Sequence, residues 1–188
     1  IQQRYGDCKD KSLLLVAILK ELGIQSAPML VNSNFKGEIR DWQPMLGAFN
    51  HCIVKIQWDS THTFFIDPTR NYQQGSKDNH FVGDFRMGLV LDGKATDLTR
   101  VDMQGSYKNK IHEVIRLRNF GTKSSTKITE EFFSGYADLM RYGKDIICEK
   151  EWKENLQNDL AAQFPEIQLN TDPIWEDDTA NNHIKIVE

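Results

Sequence analysis

The stretch Arg4-Tyr5-Gly6-Asp7-Cys8-Lys9-Asp10-Lys11-Ser12-Leu13-Leu14-Leu15-Val16-Ala17-Ile18-Leu19-Lys20-Glu21-Leu22-Gly23 decides how the rest of the chain is read. Polar residues give way there to a long apolar run, and a cysteine sits at the junction. Gly6 and Asp7 are turn and cap types, Asp10 falls in the first turn, and Gly23 is a natural stop after the last apolar residue. Leu13 to Leu19 are apolar on every side, which predicts a helix buried all round. A thiol at the N-terminus of such a helix meets the positive end of the macrodipole and unpaired backbone N–H groups, and both favour the thiolate. Cys8 is therefore the candidate nucleophile. An inert core cysteine, acting as a small hydrophobe, belongs among Leu13 to Leu19 rather than beside Asp7, Lys9 and Asp10.

Length and composition bound the alternatives. The chain has 188 residues, a formal net charge of -4 and 39% hydrophobic residues, enough for one domain or two small ones with a real core. No apolar run reaches the roughly 18 residues of a membrane span. The acidic balance, without a basic stripe or interleaved aromatics, argues against nucleic acid as a partner. The three cysteines, Cys8, Cys52 and Cys148, cannot all pair within the chain and form no disulfide framework. Neither Cys-x-x-Cys nor His-x-x-x-His spacing occurs, and the neighbours His51 and Cys52 point to opposite faces of a strand, so no metal or cofactor is expected. The chain opens on Ile1, almost directly on the helix, and reads as a fragment.

Ile24 to Val31 predicts a short buried strand, and residues 32–47 a polar loop interrupted by Phe35, Trp42 and Met45. Long loops inside compact domains are often functional, so Trp42 and Met45 either wall a substrate groove or pin the loop down as large apolar anchors. Phe49 to Trp58 predicts a strand with Cys52, Val54, Ile56 and Trp58 on one face and His51, Ile53, Lys55 and Gln57 on the other. Asp59-Ser60-Thr61 is turn chemistry, and Thr63 to Asp67 is the returning strand, stopped by Pro68. Parity then matters. A two-residue loop would send Asp67 away from His51, whereas the three-residue loop 59–61 sets Asp67 opposite Ile53 and diagonal to His51 on one face.

A thiolate nucleophile needs a base, and the base needs a partner that fixes its tautomer and steadies the imidazolium. Cys8, His51 and Asp67 supply these in chain order. The compact order, and the segments Gly6-Asp7-Cys8-Lys9-Asp10-Lys11, Phe49-Asn50-His51 and Ile66-Asp67-Pro68-Thr69, resemble the transglutaminase-like superfamily over about residues 4–100. The resemblance implies an α+β, papain-like core, with a buried N-terminal helix on an antiparallel sheet. In it Cys8 is the nucleophile, His51 the base and Asp67 its orienting partner. It also implies a thioester formed on a protein or peptide amide and passed to an amine or to water, and a core whose N-terminal part precedes Ile1. Proteins of this kind are often bacterial, large and exported, so a periplasmic or exported location and neighbouring domains of a parent chain are expected.

The glycines Gly83, Gly88 and Gly93 around Leu89-Val90-Leu91 predict a closing strand of a first domain, 1–104. Residues 105–188 read as a smaller β-rich module. It has strands at 111–117 and 126–133, helical stripes from Gly135 to Cys148 and on to Pro165, a polar loop over 170–182, and a truncated strand from His183. No pattern in the module suggests chemistry. The leading expectation is a cysteine-dependent acyltransferase or hydrolase acting on protein amides. The alternative is a non-catalytic scaffold or peptide-binding module of an envelope protein that keeps the same residues.

Overall fold

In the computed structural model residues 5–103, 105–119 and 123–188 are described. Arg4 at the head of the decisive motif, position 104 at the expected domain boundary, and the middle of the 119–125 connection lie outside them. The fold is α+β with two antiparallel sheets, and the chain divides into two compact units, residues 1–71 with 81–105 and residues 72–80 with 106–188. The 72–80 segment, read from sequence as part of the first module, packs within the second. No helix among the described residues is long and apolar enough to cross a membrane.

The first unit holds α1 (Cys8–Glu21), β1 (Gln25–Val31), β2 (His51–Gln57), β3 (Thr63–Ile66), β4 (Arg86–Val90) and β5 (Thr99–Val101), with sheet order β3-β2-β1-β4-β5. Period-two alternation divides its core between the two faces of the sheet. Val54, Ile56 and Phe64 meet Leu15, Val16 and Leu19 of α1 on one face. Met29, Val31, Ile53, Phe65 and Val90 pack with Val82 and Phe85 on the other. The central strands are thus buried on both sides. Gly88 lets β4 close on β1, because a Cβ there would lie 2.6 Å from the Leu30 carbonyl oxygen and 2.7 Å from Val31 Cγ1.

The expectation that α1 is buried all round is corrected. Only Ser12 on it is fully buried, while Leu13, Leu14 and Ile18 are 57%, 43% and 50% exposed. An unbroken apolar run specifies that every face is apolar, and within these residues the sheet covers a single face. The loop over 32–47 is also more regular than expected, with 3-10 turns at Lys36–Asp41 and Leu46–Ala48.

The second unit comprises β6 (Tyr107–Arg116), β7 (Ser125–Ser134), α2 (Gly135–Ile146), α3 (Glu149–Gln163), β8 (Ile174–Asp178) and β9 (His183–Val187), in the order β6-β7-β9-β8. Ala137 of α2 packs with Ile184 and Ile186, flanked by Phe132, Trp152 and Trp175. One sequence reading is corrected here. β8 lies inside the expected loop over 170–182. Cys148, expected on or near the helical stripe, is exposed at the position just before α3.

Glu188 closes the ladder against Ile128, each backbone N–H donating to the other's carbonyl at 3.0 and 2.9 Å. Burial first, and then repulsion from Glu130 and Asp159, pushes its carboxyl from 4.5 up to about 7. Between those values the folded unit holds a proton that the unfolded chain has released, so stability falls as pH rises through that window. Glu188→Gln is therefore expected to have a higher urea midpoint than the parent chain at pH 8, the two converging by about pH 4. Identical midpoints at both pH values would show that the carboxyl titrates normally.

Candidate active site

Each residue of the site is placed by local chemistry. Asp7 caps α1, its Oδ1 accepting the backbone N–H of Lys9 at 2.8 Å and of Asp10 at 3.1 Å, while Asp10 Oδ2 accepts the Asp7 N–H at 3.1 Å. This reciprocal box fixes the helix start at Cys8. It also consumes two of the first-turn donors that the sequence reading offered to the thiolate. Among the described residues the Cys8 N–H is not taken up by the box.

Ser12, one turn on, donates to the carbonyl of Cys52 at 3.0 Å, which pins α1 along β2. The helix then passes over Val54 and Ile56 toward its C-terminus, so it runs in the same sense as β2. One turn back from Ser12 is about 6 Å, or about two residues of strand. Cys8 therefore overhangs the end of the sheet at which β2 begins with His51.

The β2/β3 hairpin brings the other two residues to that end. Val54 pairs with Ile66 and Gln57 with Thr63, and Trp58 N–H donates to the His62 carbonyl at 3.0 Å, leaving Asp59-Ser60-Thr61 as the loop. This is the odd-length register. β3 ends at Ile66, one residue before the expected Asp67, and continuing the pairing sets Asp67 diagonal to His51. His51 Nε2 and Asp67 Oδ2 are 2.9 Å apart, with Asp67 only 5% exposed and the imidazole half-buried against Phe85 at 5.7 Å.

The proton on this contact can be assigned. Burial alone would raise the Asp67 carboxyl, but the hydrogen bonds from His51 and then Thr69 hold it below its ordinary value. It is ionised at neutral pH and can only accept, so Nε2 carries the hydrogen, which leaves Nδ1 as the nitrogen with a lone pair in the uncharged form of the ring. Thr69 supplies two of the bonds, its N–H at 3.0 Å and Oγ1 at 2.7 Å, both to Asp67 Oδ1.

Two of the three predicted residues are thus in contact, and the third is at the same end of the sheet without a bond to them. Among the described residues Cys8 makes no hydrogen bond to His51. Parity explains the gap: His51 shares a face with Ile53, while α1 covers the Cys52 face. Burial, opposed in part by the hydrogen bond with Ser12, pushes the Cys52 thiol up.

The sequence reading missed the residues that hold the site. Asn32 Nδ2 donates to the Ala48 carbonyl at 2.9 Å, and Asn50 Oδ1 accepts the Ser33 N–H at 2.9 Å, tying the long loop to the strand ends beside His51. Thr69 was legible, since Asp-Pro-Thr is an Asx-turn pattern. Trp42 and Met45, the candidate groove residues, both line a pocket of about 470 Å³. Trp42 also packs on Phe35 with ring centroids 4.9 Å apart, so it both anchors the loop and walls a groove. No group of three His, Cys, Asp or Glu side chains among the described residues is placed to hold a metal ion. In comparisons with known proteins, no family model, no curated protein and no solved structure matches the chain.

Proposed function

We propose that this chain carries the catalytic core of a transglutaminase-like cysteine acyltransferase or hydrolase acting on protein or peptide amides. The single observation behind the reading is the His51–Asp67 contact at 2.9 Å, buried at the sheet end that Cys8 overhangs. In the proposed reaction Cys8 Sγ gives its proton to His51 Nδ1 and bonds to the amide carbon. The Cys8 N–H, which the Asp7 cap does not take up, is the group we assign to the resulting oxyanion. The carbon–nitrogen bond then breaks, and the leaving amine takes the proton from the imidazolium. Water or a second amine gives a proton to His51 Nδ1 and attacks the thioester; the carbon–sulfur bond then breaks, and the departing Cys8 sulfur takes that proton back.

The step requires Cys8 and His51 to close, and catalytic hydrogen bonds commonly tighten only with substrate in place. A second reading, a non-catalytic scaffold for a protein partner, draws on the exposed Leu13, Leu14 and Ile18 and on the absence of a Cys8–His51 bond. Iodoacetamide at pH 6.5 separates the two. An activated Cys8 should be alkylated at least about tenfold faster than the exposed Cys148, because the thiolate is the reactive form, and His51→Ala should remove that advantage. Cys8 reacting no faster than Cys148 would favour the scaffold.

A further inference from the structure

The pocket beside the site has a chemistry and a position that point to its occupant. It is lined by Trp42, Met45, Leu46 and Phe49 of the loop and by Leu89 of β4 and Leu98, with Arg40 and Asp97 as the charged residues of its wall, and holds about 470 Å³. Apolar surface dominates it. Met45 is 56% and Leu46 94% exposed, so two large hydrophobic side chains stand at its mouth without covering protein among the described residues.

Its position follows from the sheet register. Leu89 pairs with Leu30, and Leu30 with Cys52. Directly paired residues of antiparallel strands share a face, so Leu89, Leu30 and Cys52 form one row on the face that α1 covers. At about 4.8 Å per strand, Leu89 lies about 10 Å from Cys52. Ser12 bonds to Cys52, and Cys8 is one turn from Ser12. Phe49, on the pocket wall, is two residues from His51. The pocket therefore shares an end of the sheet with Cys8, His51 and Asp67. Ten ångström is about three residues of extended chain.

We infer that this pocket is a specificity subsite, taking one large apolar side chain, of the leucine or phenylalanine class, that lies two to three residues from the carbonyl attacked by Cys8. The inference rests on the acyl-transfer reading for its substrate and on the pocket for its preference. A peptide is the occupant we commit to, because an extended chain passing Cys8 can reach along the row into the pocket. The long loop, clamped by Asn32 and Asn50, presents the pocket ready-made. Burying such a side chain discriminates against a charged one by on the order of tenfold or more.

The test uses Cys8→Ala protein, which binds without reacting, and glutamine-centred heptapeptides with a single Leu, Phe, Asp or Lys at each position two or three residues from the glutamine. Binding is followed by tryptophan fluorescence, with Trp42→Phe as the control that assigns the signal. At one position the Leu and Phe peptides are expected to bind at least about tenfold more tightly than the Asp peptide. Met45→Asp, a change at an exposed position that leaves the core intact, should abolish that preference, and Leu89→Ala should weaken it. The inference is overturned if apolar and acidic peptides bind alike, if no peptide binds, or if the preference survives Met45→Asp. Preferential binding without any thioester or product from the unmutated chain would sink the acyl-transfer reading and leave the subsite standing. Turnover indifferent to the apolar residue would do the reverse.

Discussion

Cys8→Ala is expected to reduce amide turnover by about four to six orders of magnitude, the scale on which removal of a covalent nucleophile acts, while shifting the melting temperature by no more than about 2 °C. Both halves of the expectation come from position. Cys8 is half-buried and makes no hydrogen bond to His51, so truncating one sulfur leaves no cavity in either core cluster. The start of α1 is held by Asp7 and Asp10, and its seat on the sheet by Ser12. Asp7→Ala has the opposite profile. It removes an N-cap and should lower the melting temperature measurably more than Cys8→Ala does, while lowering the rate only as far as the helix start frays. Turnover and calorimetry on both variants give the comparison. If Cys8→Ala costs several kcal/mol, or retains activity, the cysteine is structural.

The parts of this architecture that are legible in the sequence are those fixed by short-range rules. The cap at Asp7 and the turn at Asp59-Ser60-Thr61 are local chemistry. Given that turn, strand parity alone decides that Asp67 falls on the face of His51. The burial of α1 was not legible for a different reason. Leu13 to Leu19 report that the helix has no polar face, but coverage depends on what packs around it, and here the sheet takes one side. β8 was hidden by composition, because Glu176, Asp177 and Asp178 read as loop. Pairing to β9 offsets that, with Lys185 Nζ 2.9 Å from Glu176 across the ladder. β5, three residues long at the sheet edge, carries too short a pattern to register. The membership of residues 72–80 depends on remote bonds such as Ser134 Oγ to the Asn79 carbonyl at 2.9 Å, which no local pattern announces.

Asp67→Asn should lower the rate by about 10³- to 10⁴-fold, a larger loss than a swap of carboxylate for its isosteric amide suggests, and Thr69 is the reason. The Thr69 N–H and hydroxyl both donate to Asp67 Oδ1. In the variant those two donors hold the amide oxygen, which leaves the NH₂ group at the place of Oδ2, facing His51 Nε2. A donor there requires Nε2 to accept, so the ring proton moves to Nδ1. The nitrogen that must take the Cys8 proton is then already protonated. A wrong tautomer of this kind costs a catalytic histidine about 10⁴ in rate. Stability carries its own signature. The folded-state Asp67 carboxyl lies below its ordinary value, and the unfolded one titrates near about 3.9. Its contribution is therefore fully present above the unfolded value and is lost as pH falls through the folded one. Urea midpoints of the parent chain and Asp67→Asn should differ by a constant amount from pH 7 to about pH 5 and draw together in more acid solution. A rate near that of the parent chain, with the same midpoint gap, would make the His51–Asp67 pair a structural ion pair and leave Cys8 without an oriented base.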